Sequence, residues 1–421
     1  MSAAAELLRA PLTGLLGSPL PVRVRCWDGS ALGPEDAPTV VLRHRRALRR
    51  LLWQPGELGL ADAYITGELD VEGELRSGLR AVRRALEQRA PQRPAPRDWP
   101  RLLARAARLG ALGPRPAPPA GRAAVHGAPH TRARDRAVIS HHYDLSNEFY
   151  ALLLGPEMAY SCGYWTGEGE DLAEAQRAKA DLVCRKLGLR PGTRLLDLGC
   201  GWGGLARHAA LRYGARVTAV TLSERQHAYA TRLMADAGVA DRVEVLRRDY
   251  RELHGGADGG YDAISCIEMG EHVGAEQYPA FATRLFELLR PGGRLLVQQM
   301  SRAAGTRPGG GAFIETYIAP DMHMRPVGET VALLERAGLE VRAVEAMREH
   351  YARTIDAWHA TLESRRTEFE VLVGAATVRL WRLYTVGSSL AFAEGRMGVD
   401  QILAVRNGTV RNGTDREGDA R

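Results

Sequence analysis

Residues 195–203 read Leu195-Leu196-Asp197-Leu198-Gly199-Cys200-Gly201-Trp202-Gly203. An apolar run that ends in an acid and three alternating glycines is the pattern of a buried parallel strand turning into a helix around a nucleoside ligand. The strand is expected at Arg194–Leu198 and the helix at 205–213. Gly199, Gly201 and Gly203 lack the side chains that would hold a ligand away from the backbone. A glycine cluster by itself fits a plain tight turn equally well, so its surroundings have to decide.

Outward from this turn, candidate strands at 193–198, 215–220, 242–247, 261–266 and 293–298 alternate with helical segments. Such alternation predicts an α/β fold with a doubly wound, mainly parallel sheet. The ligand is then expected outside the carboxyl ends of the strands, where Gly199, Thr221 and Asp249 would meet. The second strand ends in Thr221-Leu222-Ser223 and lacks the acid that usually grips a ribose, so the hydroxyls of Thr221 and Ser223, or Gln226, must supply polar contacts. A dinucleotide loop runs G-x-G-x-x-G, whereas this one runs G-x-G-x-G, which resembles the S-adenosylmethionine (SAM) methyltransferases and implies their Rossmann-like class I fold. Further on, helices are expected at 327–337, 352–363 and 376–393, with strands at 340–346 and 399–405.

The chain has 421 residues, enough for two or three domains. Residues 90–122 hold eight prolines and seven arginines against one acid, Asp98, and read as a linker. The expected organisation is a small α+β accessory domain at 1–89, the linker at 90–122, a catalytic domain at 123–406 and a disordered polar tail at 407–421. Within the linker, residues 99–109 predict a short helix with Leu102, Ala106 and Leu109 on one face and Arg101, Arg105 and Arg108 on another. That helix could lie on an anionic membrane or pack on its own protein.

The formal net charge of +7 is mild for this length and fits either plain solubility or a specific anionic partner. Five widely spaced cysteines without a CxxC suggest neither a disulfide framework nor a zinc site, and a reducing cytoplasm fits best. No apolar run is long enough to span a bilayer, so the expected location is cytoplasmic, peripheral to the inner face of the membrane. His141-His142 carries no metal expectation, because adjacent side chains point apart and no HExxH or cysteine partner is near.

Four further segments accompany the glycine loop: His142-Tyr143-Asp144-Leu145-Ser146-Asn147, Tyr160-Ser161-Cys162-Gly163-Tyr164-Trp165, Thr221-Leu222-Ser223-Glu224-Arg225-Gln226 and Met269-Gly270-Glu271-His272-Val273-Gly274. In this order they resemble the cyclopropane fatty acid synthase family, from about His141 to Arg406. The 49–53 and 72–73 segments and the 398–406 tail look most like the branch that makes 10-methylene, tuberculostearic-type acyl chains.

The resemblance implies methyl transfer from SAM to the cis double bond of an acyl chain. An alkene attacked in this way leaves a carbocation, and a base must then remove a proton. Relatives are thought to hold a bicarbonate for that purpose. Carried over by motif, its ligands would be Glu271, Tyr351 in Glu349-His350-Tyr351-Ala352-Arg353-Thr354, and the backbone at Cys162. Read without the family, Glu271 is a helix-start acid, Tyr351 a helix tyrosine and Cys162 a small core residue. The histidine that usually follows Pro-Gly-Gly is replaced by Gln298, which can donate a hydrogen bond to an anion but adds no charge. Ser388 stands where relatives often carry a cysteine.

For SAM, the resemblance implies contacts from Tyr160 and Ser161, from the loop with Asp197, Gly199, Gly201 and Gly203, from Thr221, Leu222 and Gln226, and from Tyr250 and Arg251. Tyr164, Trp165 and Tyr317 could stabilise a cation by their ring faces or simply pack the core. The implied partners are an unsaturated acyl phospholipid and an anionic membrane surface. A separate reductase would saturate a methylene product, a second copy of the chain is a further candidate, and nucleic acid is not expected. The alternatives are a cyclopropane-forming enzyme, a methyltransferase of soluble small molecules and a non-catalytic SAM-binding protein.

Overall fold

The computed structural model describes residues 3–88, 99–122, 126–135, 138, 145–254 and 260–408. His141 to Asp144, the 90–98 part of the linker with Asp98, and the tail beyond 408 lie outside these described residues. The chain forms two compact units, one of Met1–Pro156, Gly309–Met322 and Arg348–Met397, the other of Glu157–Pro308, His323–Met347 and Gly398–Arg421. These boundaries differ from a split at 89 and 122. Val386 and Leu390, far along the chain, share one apolar core with Leu8, Val22, Leu42 and Leu75, so burial groups the carboxyl-terminal helices with the amino-terminal segment.

The first unit holds a four-stranded sheet of β1 (Arg23–Arg25), β2 (Ala31–Leu32), β3 (Thr39–Leu42) and β4 (Leu69–Glu72), in the order β2-β1-β3-β4. The β-branched run Thr39-Val40-Val41 suits the central strand β3, which pairs parallel with β1 and antiparallel with β4. A buried ion pair, Arg50 Nε to Glu68 Oε2 at 2.8 Å, ties the helix Arg46–Trp53 to the residue preceding β4. Ser146 caps the helix Asn147–Leu154 by accepting from Phe149 N at 3.1 Å. Phe149 then packs edge-on against Trp381 at 4.9 Å and Phe369 at 5.3 Å. The linker helix forms at Trp99–Arg108. Its Ala106 and the following Leu109 turn inward to the core, while Trp99 and Leu103 stay 53% and 52% exposed.

The second unit is a seven-stranded sheet in the order β10-β11-β9-β8-β5-β6-β7. Its strands are β5 (Arg194–Leu198), β6 (Arg216–Thr221), β7 (Val243–Arg247), β8 (Tyr261–Ile267), β9 (Leu289–Ser301), β10 (Leu339–Ala346) and β11 (Gly398–Arg406). Strands β5 to β9 run parallel, and β11 enters antiparallel between β9 and β10. Alternate residues of β5 feed two cores: Leu195 joins the helices Leu172–Leu187 and Gly204–Tyr213 on one face, whereas Leu196 and Leu198 join Tyr278–Leu288 on the other. That is the doubly wound arrangement, with the central strands buried on both sides. The helix Leu172–Leu187 starts with a capping box of Asp171 and Glu174 and stops at Gly188 in a left-handed conformation.

Candidate active site

Register places Leu198 of β5 beside Val220 of β6 and Cys266 of β8, so the loops after these strands share one edge of the sheet. In the first loop the N–H groups of Gly199 and Cys200 both donate to Val220 O, at 3.0 and 2.9 Å, which pins the turn to the neighbouring strand. Gly203 has φ +87°, and a Cβ there would lie 3.1 Å from Ala230 Cβ and 2.8 Å from the flexible tip of Met234, so the left-handed backbone and the close neighbouring helix together favour glycine. At Gly201, φ +54°, a Cβ would meet nothing within 4 Å. The open side of the loop is therefore at Gly201, where a ligand can reach the backbone.

Asp197 at the end of β5 is buried. Its Oδ1 accepts from Ser265 Oγ at 2.7 Å, and its Oδ2 has no partner among the described residues. Burial pushes its pKa up to about 6, with the Ser265 hydrogen bond acting in the opposite direction. An orphaned acceptor beside an open glycine loop fits a ligand with a cationic donor, as the amino group of SAM is. Thr221 and Gln226 are both buried and bonded to each other, Oγ1 to Oε1 at 2.7 Å, while Ser223 Oγ caps the next helix by accepting from Gln226 N at 3.2 Å. Leu222 is half-buried. The Thr221 and Ser223 hydroxyls thus shape the loop, and the Nε2 end of Gln226 is not used in that pair. After β7, Asp249 holds the Arg251 guanidinium through Nε at 2.8 Å and Nη2 at 2.6 Å, with the same guanidinium 5.4 Å from the Tyr250 ring centre. Arg251 is thereby tied to Asp249 and lies over Tyr250.

Ahead of the sheet, Tyr160 is half-buried and Ser161 and Cys162 are buried. Two residues that sequence reasoning did not single out hold this segment. Gln176 Nε2 donates to Ser161 O at 2.7 Å, and Lys179 Nζ donates to Ser161 Oγ at 2.9 Å. Lys179 is buried, and loss of solvent lowers its pKa while the nearby Glu268 charge opposes that shift. A Gln and a Lys three residues apart on the apolar face of an amphipathic helix were the available signal.

Glu268, also not singled out, stands at the centre of the site. Its Oε1 accepts from Cys162 N at 2.8 Å and from Gln298 Nε2 at 2.7 Å. Its backbone is left-handed, φ +53°, and its N–H donates to Gln298 O. Gln298 is fully buried, and its Oε1 accepts from Gln401 Nε2 at 2.9 Å, whose own Oε1 accepts from Lys186 Nζ at 2.7 Å. A directed series of hydrogen bonds thus runs from a lysine to a carboxylate. Glu271 is fully buried, and no side chain among the described residues bonds its carboxylate, which has only the backbone N–H groups of Glu271 and Met300 near it. Burial, then the Glu268 charge, push its pKa up to about 8. The donors expected to hold a bicarbonate, Cys162 N–H and the side chain at 298, are already spent on Glu268, so these residues do not fit that anion.

Tyr351 belongs to the first unit, in the helix Arg348–Ser364, where its ring packs at 4.6 Å from Phe392 and 6.1 Å from Trp358. Tyr317, in the same unit, donates to Asp62 Oδ1 at 2.6 Å and accepts from Arg122 Nε at 3.2 Å. Its ring and hydroxyl therefore serve a local ionic cluster. Trp165, in the second unit, is a buried core residue.

The family model described as mycolic acid cyclopropane synthetase matches residues 130–402. A protein of Mycobacterium tuberculosis named "Probable fatty acid methyltransferase Rv3720" is 36% identical over 92% of this chain and 91% of its own length. The tuberculostearic acid methyltransferase UfaA1 of the same organism is 30% identical over 97% of this chain and 93% of its own. The solved structure of the mycolic acid cyclopropane synthase CmaA1 with SAH and CTAB superimposes with a TM-score of 0.60 at 30% identity, covering 64% of this chain and 98% of that one. By sequence and by fold, this chain belongs to the mycolic acid cyclopropane synthetase family of SAM-dependent methyltransferases.

Proposed function

We propose that the protein alkylates the cis double bond of an unsaturated fatty acyl chain in a phospholipid, leaving a 10-methylene branch that a separate reductase would saturate. The observation that carries this reading is the placement of a fully buried carboxylate with no side-chain partner among the described residues, Glu271, after β8, at the sheet edge that carries the glycine loop after β5. Transfer to an oxygen or nitrogen needs no such dry acid, whereas an alkene needs a water-excluded site that controls a cation and its proton.

When bound, SAM supplies an electrophilic sulfonium methyl. Asp197, Gly199, Gly201 and Gly203 would hold its amino acid end, Thr221, Leu222 and Gln226 its ribose, Tyr250 with Arg251 its adenine, and Tyr160 with Ser161 its methionine. Glu271 in its neutral form donates a hydrogen bond without adding a charge, and Gln298 and Cys162 N–H fix the neighbouring carboxylate. The likeness to a tuberculostearic acid methyltransferase over nearly both full lengths supports the methylene product.

Residues 1–89 and the linker 90–122 would hold the enzyme on the inner, anionic face of the membrane. Trp99 and Leu103 are exposed apolar residues one turn apart on the helix Trp99–Arg108, whose other side carries Arg101, Arg105 and Arg108. No helix of the described residues is long and apolar enough to cross a bilayer. Incubation with SAM and vesicles of cis-monounsaturated phosphatidylglycerol tests the function: vinylidene protons in the released fatty acids support it, cyclopropyl protons replace it with ring formation, and an unaltered chain beside tight SAM binding rejects a lipid acceptor.

A further inference from the structure

We propose that the carboxylate of Glu268 is the base of this enzyme, a built-in replacement for a bound anion, and that the protein works without bicarbonate. The inference rests on the alkene-alkylation reading above. Three observations meet at this residue. Cys162 N–H and Gln298 Nε2 converge on one oxygen, Oε1, at 2.8 and 2.7 Å, which is how a protein holds an anion in place. The backbone of Glu268 adopts φ +53°, a conformation that disfavours a side chain and favours glycine, so the carboxylate is bought at the expense of local strain. Behind Gln298 the series through Gln401 to Lys186 orients the amide so that its N–H end, not its carbonyl, faces Glu268.

The neighbouring acids divide their roles. Two donors converge on Glu268 Oε1, whereas no side chain among the described residues bonds the fully buried Glu271, so the negative charge is held on Glu268 and the proton on Glu271. Lys179, inside the same unit, interacts favourably with that charge. In the reaction, a C–H bond of the transferred methyl breaks after a hydride shift, and its electron pair becomes the C=C bond of the methylene branch. Without the shift, the same pair closes the ring. Either way the proton goes to the Glu268 carboxylate and leaves to solvent on product release.

The test uses the full chain in carbonate-depleted buffer, with SAM and cis-monounsaturated phosphatidylglycerol vesicles. Wild-type turnover is expected to stay within twofold when millimolar bicarbonate is added. Glu268→Gln, nearly isosteric, is expected to lose about 100-fold or more in rate while SAM affinity by calorimetry stays within threefold. Glu268→Gly relaxes the backbone and vacates the two donors. It is expected to bind ¹³C-bicarbonate by NMR titration, where the wild type shows none, and to regain turnover with added bicarbonate. Bicarbonate binding to the wild type, a bicarbonate requirement for its turnover, or full activity in Glu268→Gln would overturn the proposal. The NMR titration needs no lipid, so it still decides the Glu268 question if no vesicle is a substrate.

Discussion

Gln298 Nε2 donates to Glu268 Oε1 at 2.7 Å while Gln298 Oε1 accepts from Gln401 Nε2 at 2.9 Å. A single buried amide therefore spans two strands and a catalytic-edge loop, with both of its ends used. A neutral histidine offers one donor and one acceptor nitrogen but a protonated one offers two donors and cannot accept from Gln401, whereas the amide keeps a donor for Glu268 and an acceptor for Gln401 at every pH.

Replacing Gln298 by Glu keeps the shape and turns the donor into an acceptor facing Glu268. The introduced acid must take up a proton to be tolerated, so its folded-state pKa is raised and stability falls as pH rises through the carboxylate range. Urea denaturation should show Gln298→Glu to be less stable than the wild type by about 2–3 kcal/mol at pH 8, and by much less at pH 5.

Glu271 behaves likewise in the native chain. Between its ordinary value of 4.5 and about 8 the folded protein holds a proton that the unfolded chain has released, so its contribution to stability declines as pH rises across that window. Glu271→Gln removes the dependence. Relative to the wild type it should gain on the order of 1–3 kcal/mol between pH 5 and pH 8.5 in chemical denaturation, while turnover falls at least 100-fold.

The two glycines of the loop should separate stability from binding. Gly203→Ala adds to the left-handed backbone a Cβ only 3.1 Å from Ala230 Cβ and should cost about 2 kcal/mol in thermal denaturation. Gly201→Ala meets no neighbour and pays only the left-handed backbone, about 1 kcal/mol. SAM affinity should nevertheless fall at least tenfold in Gly201→Ala, because its methyl occupies the open side of the turn. Equal SAM affinity in Gly201→Ala and wild type would place the ligand elsewhere.

At the proposed membrane face, Trp99→Ala with Leu103→Ala removes two side chains that are about half exposed. Folding stability should change by less than about 0.5 kcal/mol each, while partitioning onto anionic vesicles drops at least tenfold, since each buried apolar side chain is worth about 1.5–3 kcal/mol. Binding by the native chain should also weaken as salt rises, through the screening of Arg101, Arg105 and Arg108.

The parts of this protein that sequence alone determined are those governed by local rules. The apolar run from Leu195, the glycine turn after Leu198, the alternation of strands and helices and the ordered motifs led directly to the parallel sheet and to SAM, and the strands form within a few residues of their expected positions. Each depends on neighbours in the chain: a strand's pleat, a helix's period, a glycine's left-handed φ. What tertiary structure decided are the pairings between distant segments. Glu268 is an ordinary acid after a strand until Cys162, 106 residues away, and Gln298, 30 residues away, converge on it. Lys179 and Gln176 look like two polar interruptions of a helix until Ser161 turns them into its clamp. The split of the carboxyl-terminal third between two units follows from where Val386 and Leu390 find their apolar partners. Hydrogen-bond satisfaction and apolar burial are settled only when the folded chain brings such groups within reach, and no window of sequence contains both sides of the contact.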